Sequence, residues 1–232
     1  MKILVQSFQA LSDLLFPRCC LVCNGPLSEK EEYICIGCNI QIPRTDYHQE
    51  KDNPVEKLFW GRINIERGTS FFRYAKGSDY NSLLFHLKYK GYKELARFAG
   101  RLTAAEIQDS GFFIGMDYII PVPLHRKKQR IRGYNQSEYF AKGISQVTGI
   151  PVQKSNLVRT EERGTQTRKS VLERWENVDG IFCVKYPELL TGKHILLVDD
   201  VLTTGSTLVS CASALNQAGN TSISILTLAI AL

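Results

Sequence analysis

One stretch, residues 194 to 207, constrains the fold more than any other. Entered through His194, the run Ile195-Leu196-Leu197-Val198 is continuously apolar, as expected for a strand buried on both faces in the middle of a parallel sheet. The strand is expected to end on Asp199-Asp200, at the carboxyl edge where open parallel sheets bind ligands. Two adjacent carboxylates suit neighbouring ribose hydroxyls, because an ionised carboxylate only accepts hydrogen bonds. The turn Thr203-Thr204-Gly205-Ser206-Thr207 then supplies hydroxyl donors, a glycine that permits close approach, and the start of a helix expected from Leu208 to Leu215. Such a turn suits a phosphate. Either half alone is an ordinary two-acid turn with a threonine cap; together they form a reader of ribose 5-phosphate.

Around this centre, strand-like segments at Thr69–Tyr74, Tyr118–Val122, Ile181–Val184, His194–Val198 and Ser222–Ala229 alternate with helical ones. Leu95, Phe98, Ala99 and Leu102 mark one helix face, and Leu208, Cys211, Ala212 and Leu215 another that Gly219 closes. The alternation predicts an α/β domain with a central, mainly parallel sheet. A chain of 232 residues can build one such core and a small appendage. The main domain is expected over 68–232 and a linker over 49–67, where polar residues and Pro54 remove any periodicity. Residues 1–48 form the appendage, beginning with an amphipathic helix marked by Leu4, Phe8, Leu11 and Leu15 and stopped by Pro17.

Five of the seven cysteines crowd between Cys19 and Cys38. Cys20 with Cys23 and Cys35 with Cys38 form two C-x2-C pairs separated by eleven residues, the spacing of a four-sulfur zinc site. A closed set of four thiolates leaves no position for water, so the expected zinc is structural. Metal binding contributes roughly 10 to 16 kcal/mol to folding in small modules of this kind. Cys19 competes with Cys20 for the first position, and His48 is a weaker substitute ligand.

The net charge of +6 is concentrated in Arg126, Lys127, Lys128, Arg130 and Arg132. A solvated basic loop and an anion-binding stretch both fit that run. The start of the chain lacks the continuous apolar core of a signal peptide, and the apolar residues 221–232 are far fewer than the ~20 of a membrane span. A cytoplasmic protein without membrane insertion is expected. The glycine-lysine loop of nucleotide-driven motors is absent.

The segment Leu196 to Thr207 resembles the signature of type I phosphoribosyltransferases. With the cysteine pairs, Pro121-Val122-Pro123-Leu124-His125, Arg132-Gly133-Tyr134-Asn135-Gln136, and Thr165-Gln166 with Arg174 and Asn177, essentially the whole chain resembles the ComF/GntX family of competence-associated proteins. The resemblance implies a type I phosphoribosyltransferase fold that binds phosphoribosyl diphosphate. Asp199 and Asp200 would take the ribose hydroxyls, as candidate catalytic residues too, and Thr203, Thr204, Gly205, Ser206 and Thr207 the 5-phosphate. Pro123, Arg126, Lys127 and Arg132 would serve the diphosphate, through a segment in which an unusual peptide conformation often turns amides toward the ligand. Residues 159–177, with Gln166, Arg168 and Arg174, would form a hood loop. Mg²⁺ would accompany the diphosphate, keeping several of its waters. Partners would include single-stranded DNA and the DNA-uptake machinery. Position 203 departs from purine-salvage relatives, which carry an acid there, so a transferase, a DNA-binding module and a non-catalytic sensor all remain open.

Overall fold

The computed structural model describes residues 18–75, 77–89, 91–160, 181–217 and 219–231. The elements are α1 (Ile36–Gln41), α2 (Pro54–Lys57), β1 (Arg67–Tyr74), α3 (Asn81–Tyr89), α4 (Lys93–Ile107), β2 (Tyr118–Pro121), α5 (Arg126–Arg132), α6 (Gln136–Thr148), β3 (Leu157–Arg159), β4 (Phe182–Val184), β5 (His194–Leu202), α7 (Ser206–Asn216) and β6 (Ser222–Ala231). The amphipathic helix expected over 4–15 and the hood residues Gln166, Arg168 and Arg174 lie outside the described residues.

The main sheet has the order β1-β6-β5-β2, and every pairing in it is parallel, as expected from the alternation of elements. β5 is interior, flanked by β6 from His194↔Ser222 to Leu202↔Ile230 and by β2 from Tyr118↔Ile195 to Pro121↔Val198. Its apolar run alternates between two cores. Leu196 and Val198 face α4, α6 and the cysteine module, while Ile195 and Leu197 face α7 and the β3–β4 pair. All four are fully buried, because a strand covered on both faces has no side for water.

Three elements differ from expectation. β5 continues through both acids to Leu202, held by the Val201↔Ala229 and Leu202↔Ile230 pairs, so the acids lie within the strand's last turns of pleat and the loop starts at Thr203. Phe182–Val184 joins no parallel ladder; it pairs antiparallel with Leu157–Arg159, and Phe182 and Leu157 bury their side chains in the α7-side core. The basic run forms helix α5, capped by the His125 imidazole on the Lys127 amide and closed by Gly133 in the left-handed region.

Residues 49–67, where the sequence shows no periodicity, are held by one side chain. Asn53 caps α2 by accepting from the Val55 and Glu56 amides, and its amide group donates to the carbonyls of Tyr47, Glu50 and Gly68 at 2.9 to 3.1 Å. That fixation seats Val55 and Phe59 in the core at 0% exposure. On the other side of the sheet, α4 crosses α6 at two glycines. A Cβ on Gly143 would stand 2.0 Å from the Arg97 carbonyl oxygen, and one on Gly100 2.2 Å from that of Phe140. The two helix backbones touch there, and α6 carries part of the site.

Candidate functional site

The carboxyl end of β5 places two acids just past its last pair with β2, while β6 still runs alongside them. Asp199 Oδ1 accepts from Ser137 Oγ at 2.8 Å and from the Asp200 amide at 2.9 Å. Ser137 is delivered by the start of α6, whose Asn135 caps the helix on the Ser137 amide and donates from its own amide group to the Val122 carbonyl. Asp200 accepts from the Val201 amide at 2.8 Å through Oδ1, and Lys88 Nζ of α3 stands 3.5 Å from its Oδ2. Burial, followed by repulsion from Asp200, pushes Asp199 up to about 7; the Ser137 bond and Lys88 oppose the rise.

Beyond the strand, Thr203 and Thr204 lead to Gly205, whose φ of 72° admits glycine without strain and turns the chain into α7. Phe59 lies beneath this turn, 3.1 Å from where a Gly205 Cβ would be. Thr204 Oγ1 and Ser206 Oγ are 3.0 Å apart. Asp199, Val201, Leu202, Thr203, Thr204, Gly205, Ser206, Thr207 and Leu208 line one concavity. The α7 amides at its floor are unpaired by the helix and carry its positive dipole end. Chemically, the concavity offers anionic acceptors on one side and hydroxyl and amide donors on the other.

The predicted site residues divide. Asp199 and Thr203 to Thr207 line the concavity together, with Asp200 beside them in the strand. Pro123 is half-buried in the loop after β2, whereas Arg126 and Lys127 lie on the exposed α5 and do not line the concavity. The Arg132 guanidinium stands 5.5 Å over the Tyr89 ring. Every peptide bond among the described residues is trans, including the Pro121 to Arg132 segment where the resemblance implied an unusual conformation. Three residues that were not expected touch the acids or the turn without lining the concavity: Ser137 at Asp199, Lys88 at Asp200, and Arg62 at the Thr204 carbonyl and Ser206 Oγ. Ser137 directly follows the Arg132–Gln136 motif, which could have pointed to it; Lys88 and Arg62 lie in segments with no local signal, and only the tertiary fold brings them in.

At the other pole, the Sγ atoms of Cys20, Cys23, Cys35 and Cys38 all lie within 4.8 Å of one another. Cys19 and His48 are outside this set. Amides of Val22 and Cys35 point at Cys20 Sγ (3.5 and 3.4 Å), and the Cys38 amide at Cys35 Sγ (3.4 Å). Burial raises the Cys20 pKa, but the backbone amides of Cys23, Cys35 and Val22, with the Cys23 thiol, outweigh it and lower it to about 7. Four converging sulfurs with amides aimed at them fit a soft tetrahedral cation. The module packs on the domain: Ile34 and Ile42 enter the core, the Tyr80 hydroxyl donates to the Cys38 carbonyl at 2.8 Å, and Arg101 forks onto Glu32 at 2.8 and 2.9 Å.

The profile of the phosphoribosyl transferase domain matches residues 135–231. The chain is 30% identical over 223 residues to the DNA utilization protein YhgH of Escherichia coli O157:H7, covering 91% of this chain and 96% of that protein. It is 27% identical over 210 residues to Competence protein F of Haemophilus influenzae, covering 86% and 91%. Among solved structures, an allosteric regulatory enzyme of purine biosynthesis superposes on 61% of this chain and 29% of its own, at 20% identity and a TM-score of 0.42. The β5–α7 segment and the Asn135–Gln136 start of α6 both fall inside the matched domain.

The raised Asp199 pKa fixes a pH dependence. The folded protein takes up this proton as pH falls through about 7, whereas the unfolded chain waits until near the ordinary value of 3.8. Between those limits the native state binds more protons, so this group's contribution to stability decreases as pH rises from about 4 to about 7. Denaturant midpoints of wild type and Asp199→Asn should diverge across that window, with the variant gaining on wild type toward pH 7. A difference that stays constant with pH would discard the assignment.

Proposed function

The chain belongs to the ComF/GntX family of competence-associated proteins, and from that premise we propose that it binds phosphoribosyl diphosphate at the end of β5. The observation that carries this reading is the arrangement of Asp199 and Asp200 one strand-end away from the Thr203–Thr207 turn at the start of α7. The carboxylates accept from the ribose hydroxyls, and the turn's amides and hydroxyls hold the 5-phosphate. The diphosphate lies toward the loop after β2, near Pro123, with Arg126, Lys127 and Arg132 on the adjoining helix as its countercharge. Mg²⁺ fits this site as the diphosphate's ion, since it needs few protein ligands beyond those oxygens. Thr203 stands where purine-salvage members have an acid, so binding of the donor is the conclusion and purine-base transfer is disfavoured.

The four-sulfur cluster would hold Zn²⁺ in a closed, structural site, tying the two knuckles against α3 and α4. Thiols kept for a metal, with no disulfide among the described residues, favour a reducing compartment and hence the cytoplasm. No helix among the described residues is long and apolar enough to cross a membrane.

A role in DNA uptake or utilization, with single-stranded DNA as partner, is a second reading supported by the relatives' names and by one surface. Phe85 and Tyr89 on α3 are 50% and 61% exposed, and their rings are 5.2 Å apart. Arg132 stands over Tyr89, and the exposed Arg126, Lys127, Lys128 and Arg130 continue from it along α5. Adjacent rings flanked by a cationic helix suit bases and phosphates of an unpaired strand.

Three outcomes are expected. In calorimetry with Mg²⁺, wild type binds phosphoribosyl diphosphate, and the double variant Asp199→Ala, Asp200→Ala loses binding while keeping its zinc; undiminished affinity would sink the site. A diphosphate-release assay over nucleobases, amines and oligonucleotides then separates transfer from sensing. Elemental analysis should find one zinc per chain, and chelation should expose Cys20, Cys23, Cys35 and Cys38 to a thiol reagent; reactivity of all four before chelation would refute the metal site. For DNA, Phe85→Ala with Tyr89→Ala should weaken an oligonucleotide roughly tenfold or more with an unchanged salt slope, while neutralising Arg126, Lys127, Lys128 and Arg130 should flatten the slope. Oligonucleotide affinity that neither variant alters would remove the DNA surface.

A further inference from the structure

The turn that receives the phosphate is neutral apart from its helix end. Thr203, Thr204, Ser206 and Thr207 contribute hydroxyls and amides, and the α7 dipole adds about half an elementary charge. A phosphate monoester brings roughly −1.5 to −2 at pH 7, and the neighbouring Asp200 has its cation, Lys88, 3.5 Å away on the sugar side. A full positive charge on the phosphate side is missing from the domain's own loop.

Arg62 supplies it from outside the loop. The segment after α2 is anchored by Phe59, which is fully buried and lies under Gly205. The Phe59 carbonyl accepts from the Arg62 amide at 3.0 Å. From that anchor the guanidinium reaches the turn on the same side as Phe59: Nη1 donates to the Leu58 carbonyl at 3.2 Å and to the Thr204 carbonyl at 2.7 Å, and Nη2 reaches Ser206 Oγ, at the rim of the concavity, at 3.4 Å. Nη1 is also 3.6 Å from where a Gly205 Cβ would be. These partners are uncharged, and Arg62 has no acidic partner within ion-pair distance among the described residues. An exposed arginine held beside the turn through the Thr204 carbonyl, with its Nη2 only loosely engaged on Ser206, keeps donors free for a planar fork onto an oxyanion at the rim.

We infer that Arg62 is a ligand of the 5-phosphate, making the site select 5-phosphorylated pentoses over unphosphorylated ones. The inference rests on the ribose-phosphate reading of this site. It adds a residue from the segment between the cysteine module and β1, so that the contact with the phosphate is set by how Asn53 and Phe59 dock that segment.

The test uses the full zinc-loaded chain and three probes: phosphoribosyl diphosphate with Mg²⁺, ribose 5-phosphate, and inorganic diphosphate with Mg²⁺. Arg62→Ala should weaken the first two by a common factor of roughly ten to a hundred, the size of a lost charge-assisted hydrogen bond, and leave inorganic diphosphate unchanged. Arg62→Gln keeps a donor for the Thr204 carbonyl but not the charge, and should be as weak as Arg62→Ala; Arg62→Lys should recover part of the affinity. Full recovery by Arg62→Gln would show that the side chain merely tethers the turn and would overturn the inference. So would unchanged binding by Arg62→Ala, or an equal loss for inorganic diphosphate. If wild type binds neither pentose ligand, the ribose-phosphate reading itself falls, an outcome distinct from all of these.

Discussion

The structure is organised around a strand buried on both faces that must nevertheless end in two carboxylates. Ladders from β6 and β2 satisfy the backbone of β5, and the two cores absorb Ile195 to Val198. At Asp199 the strand is only partly open to the concavity, so the first acid is raised toward neutrality by burial and by its neighbour. The fold meets this cost with donors from elsewhere: Ser137 from α6 for Asp199, and Lys88 from α3 for Asp200. Buried carboxylates that lacked such partners would be neutralised or would destabilise the strand end.

The requirement spreads outward. Ser137 is delivered by α6, and the facing glycines 100 and 143 seat that helix against α4 by letting the two backbones touch. Asn135 joins the start of α6 to the Val122 carbonyl, so the loop after β2 and the acid's hydrogen-bond donor are positioned together. Lys88 depends on α3, which rests on the cysteine module through the Tyr80 contact with the Cys38 carbonyl. The module is therefore a wall of the domain and supports the helix that delivers one of the site's cations.

What could be read in the sequence follows from range. The apolar run, the acids and the Thr-rich turn are contiguous, so their strand-to-helix geometry is local and legible. The two C-x2-C pairs are nearly so, and the cluster forms from the four cysteines that their spacing favours. The extent of β5 was not legible, because carboxylates at 199 and 200 suggest an end, whereas pairing with β6 carries the strand to Leu202. Residues 49–67 have no periodicity, since their order comes from five hydrogen bonds to one asparagine. Lys88 and Arg62 reach the site across long sequence distances, which no window along the chain can register.

The layout of charge explains why those distant residues are needed. The ligand proposed for this site, a sugar between two phosphate groups, would call for acceptors in the middle and positive charge at both ends. β5 can furnish only the middle, since a cation inside an interior strand would face the same burial that already raises Asp199. The cations must come from elements that cross the strand end from outside the sheet: α3 on one side, the segment after α2 on the other, and α5 beyond the loop after β2. The first is docked by the Tyr80 hydroxyl on the Cys38 carbonyl and the second by the Phe59 ring against Gly205, both uncharged contacts.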